Sequence, residues 1–164
     1  MHPQQKQQLK IKHCFKVKNF MNKKTQKSLT FLGFDFGLKR IGIAVGQSIT
    51  MSATPLSTIN VRNTSHWKAI AKLITTWKPH ALIVGIPVNM DGSEQPITKQ
   101  ARRFAKQLYD QFHLPVHQVD ERLTTKAARE KIYETGGYKA LQKAAIDSIA
   151  AKLILESWIR ENYG

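Results

Sequence analysis

Apolar and polar residues alternate with the period of β-strands between residues 30 and 60. Residues 30–36 have a strand pattern, GLKR has the pattern of a turn, and IGIAVG has that of a second strand, so a hairpin is predicted. The next segment, MSATPLSTIN, has a third strand pattern, and its Pro55 favours a sheet edge or a bulge. Three consecutive strands are therefore predicted.

After residue 60, helical and strand patterns alternate. Residues 64–77, about 96–112 and 140–161 have apolar positions at the helical spacing, and a further helix is predicted over 125–134. The inward positions of the first of these helices are Trp67, Ile70, Ala71, Ile74 and Trp77. Two short apolar runs, ALIVGIP and LPVHQVD, are predicted to be strands. The order βββαβαβαα predicts a three-layer α/β domain with a mixed five-stranded sheet.

One face of the predicted hairpin carries almost no side chains. Strand alternation places Gly33 and Asp35 on one face of the first strand, and Gly42 and Gly46 together on the second. A bare face lets another backbone approach closely. The last helix has a matching set of small residues, which are Ala144, Ala145, Ser148, Ala150 and Ala151. Close docking of this helix is expected to bring its acid, Asp147, toward Asp35.

Carboxylates come from three separate parts of the chain. Asp35 lies in a strand, Asp147 in a helix, and Asp120 and Glu121 directly follow the strand LPVHQV, where α/β folds place their ligand crevice. Converging carboxylates repel unless they are protonated or bridged by a cation. Oxygen ligands suit Mg²⁺ or Mn²⁺, which can activate water and stabilise the leaving oxygen in phosphodiester cleavage. The pattern therefore indicates a metal-dependent site.

Each acid also has a purely structural interpretation. Asp35 could cap the hairpin turn, and Asp147 could be an acid favoured by the helix dipole. The run Asp120-Glu121-Arg122 could form a surface salt bridge. The acids occur together, in a basic protein with a small-residue docking face. This combination favours the functional interpretation.

Charge divides the 164-residue chain into two parts. The formal net charge is +15. Residues 1–28 contain eight Lys and no acid, and they are predicted to be a disordered basic extension, with Met21 as an alternative start. Residues 29–164 contain 18 basic and 11 acidic residues and are predicted to form the folded domain. A basic balance of this size favours a polyanion partner, most often nucleic acid.

Cysteine content and hydropathy exclude several classes of protein. Cys14 is the single cysteine, so an intrachain disulfide and a thiolate metal site are excluded. No apolar run reaches the ~18 residues needed to span a bilayer, and the N-terminal segment lacks the apolar core of a secretion signal. We therefore expect a cytoplasmic protein that does not associate with a membrane.

Four segments in the same order resemble the YqgF/RuvX-type family. They are GFDFGLKRIGIAV, GIPVNMDGSE, VDERLTT and AIDSIAAKLIL, and the resemblance covers roughly residues 30–160. The family is described both as nucleases of precursor 16S rRNA and as Holliday junction resolvases. The resemblance implies a ribonuclease H-like fold and a Mg²⁺ or Mn²⁺ site. It implies Asp35, Glu121 and Asp147 as catalytic metal ligands, with Asp120 as a further ligand.

The substrate is expected to contact basic and polar residues around these acids. The candidates are Lys39, Arg40, Asn89, Arg122, Lys139 and Lys143. The leading hypothesis is an endonuclease that processes the 5′ end of precursor 16S rRNA, alone or in ribosomal particles, as a monomer or homodimer. The alternatives are a Holliday junction resolvase acting on branched DNA and a non-catalytic nucleic-acid-binding module. An actin-like ATPase is disfavoured because such proteins need two domains of this kind.

Overall fold

The computed structural model of the chain describes residues 27–62, 64–122 and 140–164, with side chains in the last helix described from residue 145 onward. The helix predicted over 125–134 and nearly all of the basic extension lie outside these ranges. The division of the chain near residue 28 therefore stays a prediction.

Among the described residues, five strands form one mixed sheet, as predicted. Their bounds are Thr30–Phe36 (β1), Arg40–Gln47 (β2), Ser52–Asn60 (β3), Ala81–Ile86 (β4) and Val116–Asp120 (β5). Their order across the sheet is β3-β2-β1-β4-β5. β2 is antiparallel to β1 and β3, while β4 is parallel to β1 and β5. β3 is an edge strand of this sheet, so Pro55 lies where a missing N–H is tolerated.

Three helices pack on the sheet in the described ranges. Their bounds are His66–Trp77 (α1), Pro96–Phe112 (α2) and Ala140–Tyr163 (α3). α2 begins with a capping box, in which the Gln95 side chain accepts from the Thr98 backbone and the Gln95 N–H donates to Thr98 Oγ1 at 2.9 Å. Pro96 at the first position also favours this helix start.

The sheet separates two apolar cores. The core on one face joins β-strand residues to α1 and α2 and includes Leu32, Phe34, Ile43, Ile70, Phe104 and Leu108. The core on the other face joins the sheet to α3 and includes Phe31, Ala44, Ile83, Ala151, Leu155 and Ile159. Successive residues of β1 thus point to opposite cores. The arrangement confirms both the predicted alternation and the three-layer fold.

The bare face of the hairpin receives α3, as predicted. A Cβ on Gly33 would lie only 2.8 Å from the Cβ of Leu155. A Cβ on Gly42 would overlap the carbonyl oxygen of Asp147. Since side chains at these two positions would displace α3, the glycines are what permits the helix to approach the sheet so closely.

One predicted core position is wrong. Trp77 is 39% exposed, whereas Ile70 of the same helix is fully buried. Trp77 is the last residue of α1, and a side chain at a helix end has packing neighbours on fewer sides. None of the helices in the described part of the chain is both long and apolar enough to cross a membrane.

Candidate active site

Asp35 lies in the central strand of the sheet and is only 5% exposed. Its neighbours in the sheet register are Gly42 on β2 and Gly85 on β4. Neither neighbour has a side chain, so the space on both sides of Asp35 is filled by groups from other elements. These groups belong to the other acids that the sequence predicts for the site.

Gly85 makes room for the carboxylate of Glu121. A Cβ on Gly85 would overlap Oε1 of Glu121 and lie 2.9 Å from its Cδ. Glu121 directly follows β5, and its backbone N–H donates to the carbonyl of Ile86 at 3.2 Å. Glu121 is 7% exposed. The carboxylate of Glu121 therefore lies over Gly85 of β4, the residue that pairs with Asp35 in the sheet.

Gly42 makes room for the backbone of Asp147 on the other side of Asp35. The next residue, Ser148, donates its hydroxyl to the carbonyl of Leu56 at 2.5 Å and thereby ties this turn of α3 to β3. Asp147 also lines a cavity of about 330 Å³ together with the hairpin residues from Asp35 to position 40. The structure thus brings Glu121 and Asp147 to opposite sides of Asp35.

Arg40 contributes a positive charge to this cavity. Its Nε is 3.3 Å from Oδ2 of Asp147, and both side chains are about three-quarters buried. Lys39 lines the same cavity. The turn that carries the two cations is tight, since a Cβ on Gly37 would lie 2.6 Å from the carbonyl oxygen of Arg40. The N–H of Val61 donates to the carbonyl of Lys39 at 3.0 Å and braces the turn from β3.

Asp120 and Arg122 form an ion pair at the end of β5. Nη2 and Nε of Arg122 lie 2.7 and 2.8 Å from Oδ2 of Asp120, and the Arg122 N–H donates to Oδ1 at 2.9 Å. The guanidinium hydrogen bond holds the pKa of Asp120 below its ordinary value. A Cβ on Gly92 would lie 3.1 Å from Nη1. Arg122 is thus paired with Asp120, and it also contacts the loop after β4.

Asn89 stabilises the loop after β4 through both the nitrogen and the oxygen of its side-chain amide. Its Nδ2 donates to Ser93 Oγ at 2.9 Å, and its Oδ1 accepts from Gln95 Nε2 at 2.8 Å. Asp91 accepts hydrogen bonds from the hydroxyl and backbone N–H of Ser93, which lower the pKa of Asp91 below its ordinary value. The loop therefore has a defined shape where it borders the carboxyl end of the sheet.

Two predicted substrate contacts lie beyond these observations. Lys139 and the side chain of Lys143 are outside the described part of the chain. In contrast, sequence reasoning missed Gly85, which determines where Glu121 lies. A glycine inside the apolar strand ALIVGIP is a signal for close approach of another group, and it could have identified this position.

The three acids fit a hard divalent cation in the kind of ligand they offer. Asp35, Glu121 and Asp147 provide only carboxylate oxygens, which Mg²⁺ and Mn²⁺ prefer. Across the residues that the structure describes, no three His, Cys, Asp or Glu side chains are grouped so that they could hold a metal ion. Arg40 pairs with the carboxylate of Asp147. The chemistry of the three carboxylates therefore fits a hard divalent cation, and one of them, Asp147, is paired with Arg40.

A mixed sheet in this order, with helices on both faces and an acid on its central strand, defines a ribonuclease H-like α/β fold. The structure of RuvC from Thermus thermophilus, solved in complex with a Holliday junction substrate, has the same fold. The similarity has a TM-score of 0.52 at 12% identity and covers 81% of this chain and 94% of that chain. The predicted fold class is confirmed.

The chain belongs to the RuvX family. The family model, described as Holliday junction resolvase, matches residues 29–161. A Legionella pneumophila (strain Lens) relative is 56% identical over 133 residues, which are 80% of this chain and 96% of the relative. A Shewanella oneidensis relative is 51% identical over 136 residues, or 82% and 96% of the two chains. Both relatives are provisionally named pre-16S rRNA nucleases. The resemblance seen in the four sequence segments is confirmed.

Proposed function

We propose that the chain is a metal-dependent endonuclease that hydrolyses phosphodiester bonds in structured nucleic acid, with the 5′ end of precursor 16S rRNA as its substrate. Family membership, the names of the relatives and the fold all support nuclease activity. The observation that carries the proposal is the pair of glycines beside Asp35. Gly42 and Gly85 leave space that Asp147 and Glu121 occupy.

The acids have different places in the proposed mechanism. Asp35, Glu121 and Asp147 would hold Mg²⁺ or Mn²⁺, and a bound ion would supply a nucleophile from water and stabilise charge on the leaving oxygen. Asp35 is fixed by the central strand, whereas Asp147 is shared with Arg40. Asp120, which the resemblance implies as a further metal ligand, has a positioning role in this proposal, because its ion pair with Arg122 holds the end of β5 beside Glu121.

The basic residues bind the substrate in this proposal. Lys39 and Arg40 line the same cavity as Asp35 and Asp147, so they can bind phosphates on either side of the scissile bond. Two cations at the cavity also reduce the repulsion between a polyanion and the carboxylates. Lys139 and Lys143 are proposed as outer phosphate contacts, and Asn89 acts through the shape of its loop.

Precursor rRNA is favoured over branched DNA by the similarity of the relatives. Those named for rRNA processing are 51% and 56% identical and are covered over 96% of their own length. The solved RuvC structure with a Holliday junction is 12% identical, which establishes the fold alone. A nuclease of precursor rRNA would act in the cytoplasm, on the RNA itself or in ribosomal particles.

The proposal is tested by cleavage assays with the purified full-length chain. The substrates are a precursor 16S rRNA fragment with its 5′ extension, a single-stranded RNA of equal length and a four-way DNA junction. Each is incubated with Mg²⁺, with Mn²⁺ or with EDTA. We expect cleavage of the precursor with either ion and none with EDTA.

The other outcomes separate the parts of the proposal. Cleavage of the four-way junction alone would keep the nuclease activity and replace the rRNA substrate with branched DNA. Undiminished cleavage in EDTA would contradict the metal requirement. If no substrate is cleaved with either ion, the proposed enzyme activity is wrong and the chain is better described as a binding module.

A further inference from the structure

Leu38 is an apolar residue exposed inside a charged cavity. It lies in the turn between β1 and β2 and lines the cavity together with Asp35, Lys39 and Asp147. It is 63% exposed, the largest value among the large apolar side chains in the described ranges. Single exposed apolar residues are common on protein surfaces. Leu38, however, lies among carboxylates and cations at a candidate active site. An apolar side chain there can bind neither a phosphate nor a metal ion, so it needs another explanation.

A second exposed apolar residue lies at the same end of the sheet. Met90 is 62% exposed and belongs to the loop that follows β4. β1 and β4 are parallel neighbours, so the loops that follow them leave the sheet at the same end, where both strands finish. Ile49 is 59% exposed and lies in the turn between β2 and β3, at the opposite end of the sheet, because β2 is antiparallel to β1. Leu38 lines the cavity, and Met90, the next most exposed large apolar side chain of the described ranges, therefore lies in a loop at the same end of the sheet.

The turn around Leu38 is held in a defined conformation. Gly37 packs against the carbonyl of Arg40, and Lys39 is hydrogen bonded through its carbonyl to Val61. Leu38 is consequently carried by a fixed part of the backbone. A side chain held in this way can contact a substrate at a constant position relative to Asp35.

We propose that Leu38 packs against an unstacked nucleobase next to the cleaved phosphate, with Met90 bordering the same base. This inference rests on the proposed nuclease function. Lys39 and Arg40 account for the phosphates and the carboxylates account for the reaction, so the ribose and the base remain, and the base is the one with a flat apolar face. The face of a base is apolar, and leucine and methionine side chains insert between base steps in other nucleic acid complexes.

The inference specifies a structural feature of the substrate. Bases in a continuous duplex are stacked, and unstacking a step costs a few kcal/mol. A base beside unpaired nucleotides lacks part of this stacking. Leu38 therefore favours a boundary between paired and unpaired nucleotides over a uniform duplex. This preference is a property of nucleic acid shape and does not require a particular base sequence.

The inference is tested with an RNA hairpin that has a single-stranded 5′ extension. 2-Aminopurine, whose fluorescence rises when it is unstacked, is placed either at the first unpaired nucleotide or in the middle of the stem. Binding is followed in EDTA and cleavage in Mg²⁺. The proteins are the wild type, Leu38→Ala, Leu38→Met and the matched control Ile49→Ala, which removes a similarly exposed apolar side chain from the opposite end of the sheet.

We expect the wild type to increase fluorescence at the boundary and not in the stem. Leu38→Ala should abolish most of this increase and cleave about tenfold more slowly, while its affinity stays within about threefold because the phosphate contacts remain. Leu38→Met and Ile49→Ala should behave like the wild type, and all four melting temperatures should agree because both substituted residues are exposed.

Two results would overturn the inference while leaving the proposed nuclease intact. One is normal cleavage and a normal fluorescence increase in Leu38→Ala. The other is cleavage by the wild type without any increase at the boundary. If the wild type cleaves no RNA but Leu38→Ala still abolishes a boundary-specific increase, the proposed cleavage of RNA fails and the base contact stands. Failure of both signals would reject both.

Discussion

Arg40 is expected to affect both substrate binding and metal binding. Its guanidinium pairs with Asp147, and its backbone closes the turn around Leu38. An arginine that neutralises a carboxylate competes with any cation that needs the same oxygen. Arg40 is therefore expected to set the concentration of divalent ion at which the site fills.

Substituting Arg40→Gln should increase metal affinity and decrease RNA affinity. Removing one positive charge a few ångströms from the site should tighten Mn²⁺ binding about threefold to tenfold. The measurement is the rise in melting temperature during a Mn²⁺ titration, alongside RNA binding in EDTA. Arg102→Gln is the matched control, because Arg102 also pairs with an acid, Glu94, at 3.1 Å. Equal Mn²⁺ dependence in Arg40→Gln and the wild type would contradict the competition.

Some residue-level features could be predicted from the sequence and others could not. Asp35 is conspicuous as an acid in a glycine-containing apolar strand. The pairing of Arg40 with Asp147 joins residues 107 positions apart, so it depends on how α3 docks rather than on any local pattern. Asp120 pairs with Arg122 through side-chain geometry at a strand end, which strand periodicity does not determine.

At the level of elements, the docking of α3 on the hairpin controls the position of Asp147. Gly42 and Gly46 lie on the same face of β2, at opposite ends of the strand. A Cβ on Gly42 would overlap the backbone of Asp147. A Cβ on Gly46 would lie 2.9 Å from Ile159 Cδ1, 3.0 Å from Leu155 Cδ2 and 3.0 Å from the carbonyl oxygen of Ser52, so its shortest contact is with a side-chain end of α3. Flexible side-chain ends can shift more easily than a helix backbone.

Gly42→Ala and Gly46→Ala should therefore have different effects. Each overpacks the same interface and should cost roughly 1–3 kcal/mol of stability. Gly42→Ala should also displace Asp147 and reduce cleavage far more than Gly46→Ala, because a ligand displaced by a fraction of an ångström is misplaced for catalysis. The measurements are the melting temperature and the cleavage rate below both transitions. Equal rates in the two variants would show that the close packing at Gly42 does not position the acid.

The elements themselves were largely predictable. α2 begins and ends where its apolar period indicated, and the hairpin follows from alternation and its glycines. The prediction that Trp77 is buried was wrong, because periodicity assigns a residue to a face of the helix without showing where along the helix burial ends. The glycine in ALIVGIP signals that some group approaches Gly85 closely, but the strand pattern does not reveal that this group is the side chain of Glu121.

For the whole molecule, part of the positive charge lies outside the residues of the candidate site. The candidate site lies in residues 29–164, while residues 1–20 carry five Lys and no acid. Counterion release makes affinity for nucleic acid depend on each contacting cation. The basic extension is therefore expected to add affinity without contributing to the reaction.

Deleting residues 1–20 should leave the melting temperature and the maximal cleavage rate unchanged. RNA affinity should fall, and the slope of log affinity against log salt should become shallower by about 0.7 for each phosphate of single-stranded RNA that the shortened protein no longer neutralises. The RNA affinity and this slope are both measured from about 50 to 200 mM salt, where the affinity of such contacts depends strongly on salt. An unfolded truncated protein would show that the segment is part of the domain.

The central claim is that Asp35 is the common member of a metal-dependent catalytic site. The most direct measurement is precursor 16S rRNA cleavage in Mg²⁺ by Asp35→Asn, compared with Asp110→Asn, which changes an exposed aspartate of α2. Asp35→Asn should lower the rate by at least about 100-fold. Its melting temperature should be equal or higher, since one of several mutually repelling carboxylates is removed. Asp110→Asn should cleave normally. Cleavage by folded Asp35→Asn at the wild-type rate would contradict the account.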